Sequence, residues 1–439
     1  MSKLIQWGIV AALAGASGMA FADTAETNGG IKIKTDDGRF EANLGGRIHF
    51  DGNLVHEDQS AFNSATPKPT AQSGFFFRRI YITLTGKLYG WTYKIEPDFA
   101  PNNGTGATSI AFQDVYLATV LGPGELQIGQ RKPFRAMEDL TSSNDVLMME
   151  RPFASSSGGT FKGGSDREFQ DGLFYHGNGD MYTWGTSFTT LRRDNTPGTE
   201  GWSSSLRGTL APLNAEASIV HIGANFSYEH PANNQGAASS VTCTTATPPV
   251  CTTSTPAGAN TAQGIGAGGF AYAGRRGPTI NLGSTTKHVG SWGLEYANAF
   301  GPWFLQAEYI SQLELGDGSG SAPTNQTIQS WYVQTSFFLT GETKPYKKAD
   351  GVFTNPKPKN SFGAFELTTR YEMAKNKDNP KVCNAAATKC EISALTVGAN
   401  YYVNPKVRFM LNYVIGKLDE GARGKDSPRT LAARAQLSF

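Results

Sequence analysis

The chain ends with Arg429–Phe439, which read Arg-Thr-Leu-Ala-Ala-Arg-Ala-Gln-Leu-Ser-Phe. Apolar side chains recur there at every second position and alternate with Arg434, Gln436 and Ser438. Alternation with a period of two predicts a β-strand with one apolar and one polar face. Such a strand, ending on a C-terminal Phe, is typical of the last strand of a bacterial outer-membrane β-barrel. The alternative is a half-buried strand of a soluble protein.

The same alternation recurs along the chain in segments of roughly ten residues. Their polar faces carry charges of both signs, which suits a wet interior better than the outer face of a soluble sandwich. We therefore predict an all-β fold, a transmembrane antiparallel β-barrel of about sixteen strands. The predicted strands begin near residues 39, 75, 91, 110, 124, 168, 181, 202, 217, 287, 302, 327, 361, 391, 406 and 429.

The connections alternate between tight turns and long loops, as outer-membrane barrels have them. Residues 342–360 are an exception, because they form a long connection on the short-turn side. The loop over residues 132–167 contains many apolar side chains, so we predict that it folds inward and narrows the channel. Packing of this loop on a neighbouring subunit is the alternative. The residues that carry this prediction are Lys132, Phe134, Arg135, Met137, Leu140, Met148, Met149, Arg151 and Phe153.

The N-terminal residues have the pattern of a secretory signal peptide. Lys3 precedes a mostly apolar stretch that ends at the A-x-A site Ala20-Phe21-Ala22. We predict a cleaved signal peptide over residues 1–22, with a retained helical anchor as the alternative, and a barrel domain over residues 23–439. Beyond Ala22 no run of 18 apolar residues occurs, which excludes transmembrane helices.

Charge and composition exclude several other functions. The 39 basic and 37 acidic residues nearly balance, and no basic patch indicates nucleic acid. We find no G-x-S-x-G motif, no metal cluster and no nucleotide-binding loop, and we predict no catalytic residue, metal or cofactor. An exported chain favours local disulfides between close cysteines. The cysteines form the pairs Cys243 with Cys251 and Cys383 with Cys390.

Cationic side chains in the lumen-facing phase are the candidate functional residues. In a narrow channel with low-dielectric walls, fixed cations concentrate anions. The phase of the alternation places Arg47, Arg79, Lys94, Arg131 and Arg408 in the lumen, each with the alternative of a pair with a luminal carboxylate. Lys132 and Arg135 lie where the inward loop leaves the wall. Arg78 is out of phase, which predicts an interfacial position or a bulge.

Several stretches resemble the phosphate-selective porin O/P family. They are Leu44-Gly45-Gly46-Arg47, Phe77-Arg78-Arg79, residues 91–99, Ile128-Gly129-Gln130, residues 134–143, Glu150-Arg151, Leu206-Arg207-Gly208, Ala211-Pro212, Trp292-Gly293-Leu294-Glu295, Gln306-Ala307-Glu308-Tyr309 and Leu339-Thr340-Gly341-Glu342. Their order matches the family over nearly the whole mature chain. The resemblance implies a homotrimeric outer-membrane porin for small anions, plausibly phosphate or polyphosphate.

The resemblance also implies site residues. Arg47 and Arg79 match two pore arginines of the family, and Arg275 with Arg276 stand in for a further cluster. Thr92 and Gln127 stand where the family's best-known members carry lysines, so a porin for neutral or other solutes is an open alternative. A non-conducting surface barrel or adhesin is another. The C-terminal Phe439 resembles the signal read by the barrel assembly machinery, with outer-membrane lipid as the surroundings.

Overall fold

The computed structural model describes most of the chain after the predicted signal peptide. The described residues are 24–26, 30–56, 73–100, 110–155, 168–190, 201–230, 240–243, 251–254, 267–269, 279–281, 288–315, 325–382, 387–421 and 424–439. The predicted signal peptide and the candidate residues Arg275 and Arg276 lie outside these ranges. Within the described ranges, no helix has both the length and the apolar composition needed to cross a lipid bilayer.

Sixteen long antiparallel strands close into one barrel, as the alternation predicts. The barrel strands are β1 (Phe40–His56), β2 (Gly74–Leu88), β3 (Trp91–Asp98), β4 (Ala111–Leu121), β5 (Gly124–Arg131), β6 (Gln170–Asn178), β7 (Tyr182–Thr190), β8 (Trp202–Ala215), β9 (Ser218–His230), β10 (His288–Phe300), β11 (Trp303–Leu315), β12 (Gln326–Phe338), β13 (Ala364–Asn376), β14 (Glu391–Asn404), β15 (Val407–Asp419) and β16 (Arg429–Ser438). The predicted starts all fall close to these boundaries.

The last strand closes the barrel against the first. In the antiparallel pairing of β16 with β1, Arg434 lies opposite Asp51 and Ser438 lies opposite Arg47. The terminal Phe439 continues this pairing, because its backbone N–H donates to the Gly46 carbonyl (3.0 Å) and its carbonyl accepts from the Gly46 N–H (2.9 Å). A Cβ on Gly46 would lie 2.6 Å from the Phe439 ring, so the glycine makes room for the terminal aromatic side chain.

The alternation separates an apolar outer wall from a polar lumen. On β15, Phe409 is 48% exposed on the outside, whereas its neighbour Arg408 is 2% exposed and faces inward. A lumen lined by charged and amide groups is what an exported barrel needs if water and solutes are to pass through it. The predicted inside–outside assignment of the strands is therefore confirmed.

Arg78 is directed inward by a β-bulge. The register of β1 with β2 shifts so that Arg79 lies opposite His49 and Phe77 lies opposite Phe50. The extra residue, Arg78, forms two hydrogen bonds with Glu150 of the loop after β5, at 2.7 and 3.0 Å. Of the two predicted explanations for the out-of-phase arginine, the bulge is the correct one.

Two connections occupy the lumen. The first, which we call the constriction loop, is the described part of the β5–β6 connection (132–155 and 168–169) and includes the short helix α1 (Met137–Leu140). Its apolar side chains Met137 and Leu147 pack with Phe304 of the barrel wall, so the predicted inward fold is confirmed. The second, the long turn (339–363), joins β12 to β13 and places Val352 and Phe353 in the same apolar cluster.

Among the four cysteines, the structure describes the side chain of Cys390 only. Cys390 is disulfide-bonded. Its predicted partner Cys383 lies outside the described residues, so this pairing stays a prediction. The backbones of Cys243 and Cys251 are register partners in a two-stranded sheet outside the barrel wall, which is compatible with the predicted pair.

Candidate functional site: a channel between the constriction loop and the barrel wall

Lumen-facing polar groups hold the constriction loop against one side of the barrel. Glu308 of β11 accepts hydrogen bonds from the backbone N–H groups of Met137 (2.6 Å) and Glu138 (3.0 Å). Asn412 of β15 accepts from the N–H of Met149 (2.8 Å). A buried loop needs such partners because its own backbone groups are not paired in a sheet. The loop is therefore fixed on the side of β10–β15, and the free space lies on the side of β1–β8.

Two of the predicted channel cations, Arg408 and Arg135, help to hold the constriction loop against the wall. Arg408 donates to the carbonyls of Val146 (2.9 Å) and Leu147 (3.1 Å), and Arg135 forms a buried ion pair with Glu229. Neither Arg408 nor Arg135 is among the residues that line the channel cavity described below. A lumen-facing phase places an arginine inside the barrel, but backbone carbonyls of the loop compete with solutes for its donors.

The long turn completes the support from the short-turn end of the barrel. The N–H of Asn355 donates to Asp145 Oδ1 of the constriction loop (3.1 Å), and its side-chain amide donates to the carbonyl of Asn144 (2.5 Å). Arg207 of β8 donates to the carbonyls of Asp350 (2.9 Å) and Gly351 (2.8 Å). The unusual length of this connection is evident from the sequence, but its entry into the lumen is not.

A cavity of about 390 Å³ runs between the constriction loop, the long turn and the wall formed by β1–β8. Eight lysine or arginine side chains and six carboxylates line it, so cations are in excess. The cations are Arg47, Arg79, Lys94, Arg131, Lys132, Arg151, Arg207 and Lys347. The carboxylates are Glu96, Asp114, Glu125, Asp145, Glu168 and Asp350.

Five of the predicted residues line this channel: Arg47, Arg79, Lys94, Arg131 and Lys132. Three further cations of the lining, Arg151, Arg207 and Lys347, were not among the predicted site residues. Arg207 has the lumen-facing phase and Arg151 lies in the inward loop, so both carried a signal. Lys347 carried none beyond the unusual length of its turn.

Most of the channel cations are tied to carboxylates. Arg47 pairs with Glu96 (3.0 Å), and Lys94 pairs with Asp114 (2.5 Å). Arg207 pairs with Glu295 (2.7 Å) across the neighbouring strand β9. In such pairs the two fields largely cancel at a distance, so these cations contribute little to the attraction of a mobile ion.

Arg79 and Arg131 differ from these, because within the described residues neither has an ion pair. Arg79 is 5% exposed, and its Nη1 has no hydrogen-bond partner in the described part of the chain. Arg131 donates to the neutral side chain of Gln127 and stacks on Phe134, with its guanidinium carbon 4.7 Å from the ring centroid. Neither arginine is therefore tied to a described carboxylate by a direct ion pair, although both line the channel.

The glycine at position 185 shapes this part of the wall. Gly185 of β7 faces the lumen, and a Cβ built there would lie 2.4 Å from the ring of Phe134. The Phe134 ring fills this space at the start of the constriction loop and also lies 5.4 Å from the ring of His176. The glycine thus leaves room for the ring of Phe134, on which Arg131 stacks, to pack against the wall.

These features define a class of protein: a sixteen-stranded barrel with a polar lumen, narrowed by an inward loop, is a porin of the bacterial outer membrane. More particularly, the model of the phosphate-selective porin O and P family matches residues 48–439, and the chain belongs to that family. Porin O of Pseudomonas aeruginosa is 28% identical over 432 residues, which cover 94% of this chain and 92% of that protein.

Solved porin structures show the same fold at low sequence identity. An anion-selective porin from Comamonas acidovorans is 12% identical, with a TM-score of 0.53 over 91% of this chain and 100% of that chain. OmpT of Vibrio cholerae, in a trimer form, is 8% identical, with a TM-score of 0.52 over 91% of this chain and 99% of that chain.

Proposed function

We propose that this chain forms a passive outer-membrane channel for small anions, with phosphate as a solute. The observation that carries the proposal is the pair of channel arginines, Arg79 and Arg131, neither of which forms an ion pair with a described carboxylate. Uncompensated cations behind low-dielectric walls raise the local anion concentration. Arginine suits an oxyanion because its fork donates to two oxygens at once and stays charged. The channel family also points away from an enzyme.

The test is ion selectivity and phosphate block of the purified channel in a planar bilayer. We expect a wild-type zero-current potential of the sign that anion preference gives, and a chloride current that phosphate reduces. Arg79→Gln and Arg131→Gln are expected to weaken both. The matched control is Arg39→Gln, which removes the same charge from an exposed residue paired with Asp37 outside the channel. Equal effects of the control and the channel variants would contradict the proposal.

A second candidate is a porin for neutral or other small solutes, and a specific observation favours it. Six of the eight channel cations have carboxylate partners, and Gln127 lies in the wall where the family's best-known members carry a lysine. This reading predicts open channels without anion preference or phosphate block. A barrel that inserts without conducting would instead support the surface or adhesin function.

We further propose that the mature chain assembles as a homotrimer. Phe75 is 80% exposed on the outer wall and stacks on Phe50, whose ring also lies 5.1 Å from that of Phe77. Apolar outer surface of this kind serves contact with lipid as well as with a subunit. Phe75→Asp is therefore tested by electrophoresis of unheated samples: loss of the trimer band supports the interface, and an unchanged band contradicts it.

Export and assembly complete the proposal. We propose that residues 1–22 are removed and that the exposed end of β16, with Phe439, is read by the barrel assembly machinery. N-terminal sequencing of the outer-membrane protein tests the first point, with Asp23 expected as the first residue. Deletion of Phe439 tests the second, with reduced insertion into the outer membrane as the expected result.

A further inference from the structure

Glu168 lies among several cations of the channel wall. It is the penultimate residue of the constriction loop, two residues before β6, and it forms ion pairs with Lys132 and with Arg151, whose Nη1 lies 3.5 Å from Glu168 Oε1. Arg79, the unpaired arginine of β2, also attracts the Glu168 carboxylate. All four side chains line the same cavity. No other carboxylate of the described channel lining pairs with a lysine and an arginine of the constriction loop.

The cations of this cluster have few other anionic partners. Arg151 uses Nε and Nη2 to bond the backbone carbonyls of Glu138 (2.9 Å) and Thr141 (2.6 Å). Lys132 also donates to a backbone carbonyl, that of Asp139 (2.7 Å). These bonds fix the positions of the two cationic groups without neutralising them. Glu168 thus supplies the one carboxylate with which both form ion pairs in the described part of the chain.

Glu168 stays ionised in this position. Burial raises the pKa of its carboxyl group, but Lys132 and Arg151 outweigh that effect and hold the pKa well below its ordinary value. The cluster therefore contains a permanent anion that is bound to the wall by the chain itself.

We propose that Glu168 is a tethered competitor: its carboxylate occupies donors of Lys132 and Arg151 that a permeating oxyanion such as phosphate also needs, and so sets how tightly the channel holds that ion. The inference rests on the proposed function. Its physical reason is that conduction requires release as well as binding. Two such cations in a narrow passage would retain a phosphate, and a carboxylate that returns to them speeds its departure.

The other channel carboxylates do not share this arrangement. Glu125 lies 3.5 Å from His176 and accepts from Gln127, and Asp350 pairs with Lys347 of its own turn. Glu125 is therefore a matched control, since it lines the same cavity and carries the same charge.

The experiment measures the phosphate concentration that halves the chloride current through single channels of the full-length mature protein. For Glu168→Gln we expect this concentration to fall by about tenfold, the order of one charge-assisted hydrogen bond, with slower phosphate release visible as longer blocks. Glu168→Asp withdraws the carboxylate by one methylene and is expected to shift the concentration in the same direction by a smaller factor. Glu125→Gln is expected to leave it within about twofold, because only the general field changes.

The outcomes separate the inference from the proposed function. If wild type shows anion preference and phosphate block and Glu168→Gln changes neither, the inference fails and the function stands. If wild type shows neither and Glu168→Gln gains both, the function fails for the wild type and the inference stands. An equal shift in Glu125→Gln would overturn the inference, because net charge alone would then explain it. Should Glu168→Gln yield no channels, an unchanged half-block concentration in Glu168→Asp overturns it.

Discussion

Gly185→Ala tests whether the constriction loop is held where the structure places it. The new Cβ would lie 2.4, 2.6 and 2.7 Å from three ring carbons of Phe134, and real Cβ contacts under 3.0 Å are essentially never seen. The ring therefore has to move toward the lumen, because the methyl group occupies its place on the wall. Overpacking of this kind costs about 1–3 kcal/mol. The displaced ring also withdraws the aromatic face on which Arg131 stacks at 4.7 Å.

Two assays measure the effect of Gly185→Ala. Urea unfolding in detergent measures the loss in free energy of unfolding, and single-channel recording measures the conductance, which we expect to fall because the ring narrows the passage. The control is Gly208→Ala on the neighbouring strand β8, where a Cβ would meet nothing within 4 Å. If Gly185→Ala unfolds and conducts like Gly208→Ala, the position assigned to Phe134 and to the start of the loop is wrong.

Three further changes test the supports of the lumen segments. Burial raises the pKa of the Glu150 carboxyl group, but the guanidinium groups of Arg78 and Arg434 outweigh burial and lower this pKa to about 2. The ionised carboxylate therefore stabilises the fold fully above the ordinary pKa of 4.5, and this stabilisation is lost as the pH falls toward 2. Glu150→Gln is expected to cost about 3–5 kcal/mol at neutral pH and to flatten this acid dependence in urea unfolding; an unchanged pH profile would refute the pair with Arg78. Asn355→Ala removes the amide that bonds the constriction loop and is expected to raise conductance, since the long turn then leaves the lumen more easily; a conductance equal to wild type would refute the contact. Glu308→Gln leaves one amide oxygen for the two backbone N–H groups at the start of α1, so the constriction loop is held less firmly. We therefore expect larger noise in the open-channel current, and a noise spectrum like that of wild type would count against this anchor.

The barrel was predictable from the sequence because its signals are local. Alternation with a period of two and turn residues at short intervals fix where a strand begins and which face is apolar. Even the out-of-phase Arg78 carried information, since a bulge was one of the two ways to keep its charge away from lipid. The inward fold of the constriction loop was predictable because Met137 and Phe153 are too apolar for open water.

The bonding partners of the luminal cations could not be predicted from such local signals. Phase shows that Arg207 and Arg408 point inward, but Glu295, the partner of Arg207, lies 88 residues away in sequence and two strands away in the wall. The partners of Arg408 are backbone carbonyls of a loop more than 260 residues earlier. Such partners depend on register and on the path of the loop. The entry of the long turn into the lumen was missed for the same reason.

Arginines without ion pairs are proposed to make this channel anion-selective. The zero-current potential of single channels in a potassium chloride gradient, compared between wild type and the double variant Arg79→Gln with Arg131→Gln, tests it most directly. We predict anion preference in wild type and its loss in the double variant, with the barrel still inserted and conducting. A wild-type channel that is non-selective or prefers cations, or a double variant with unchanged selectivity, would contradict the account.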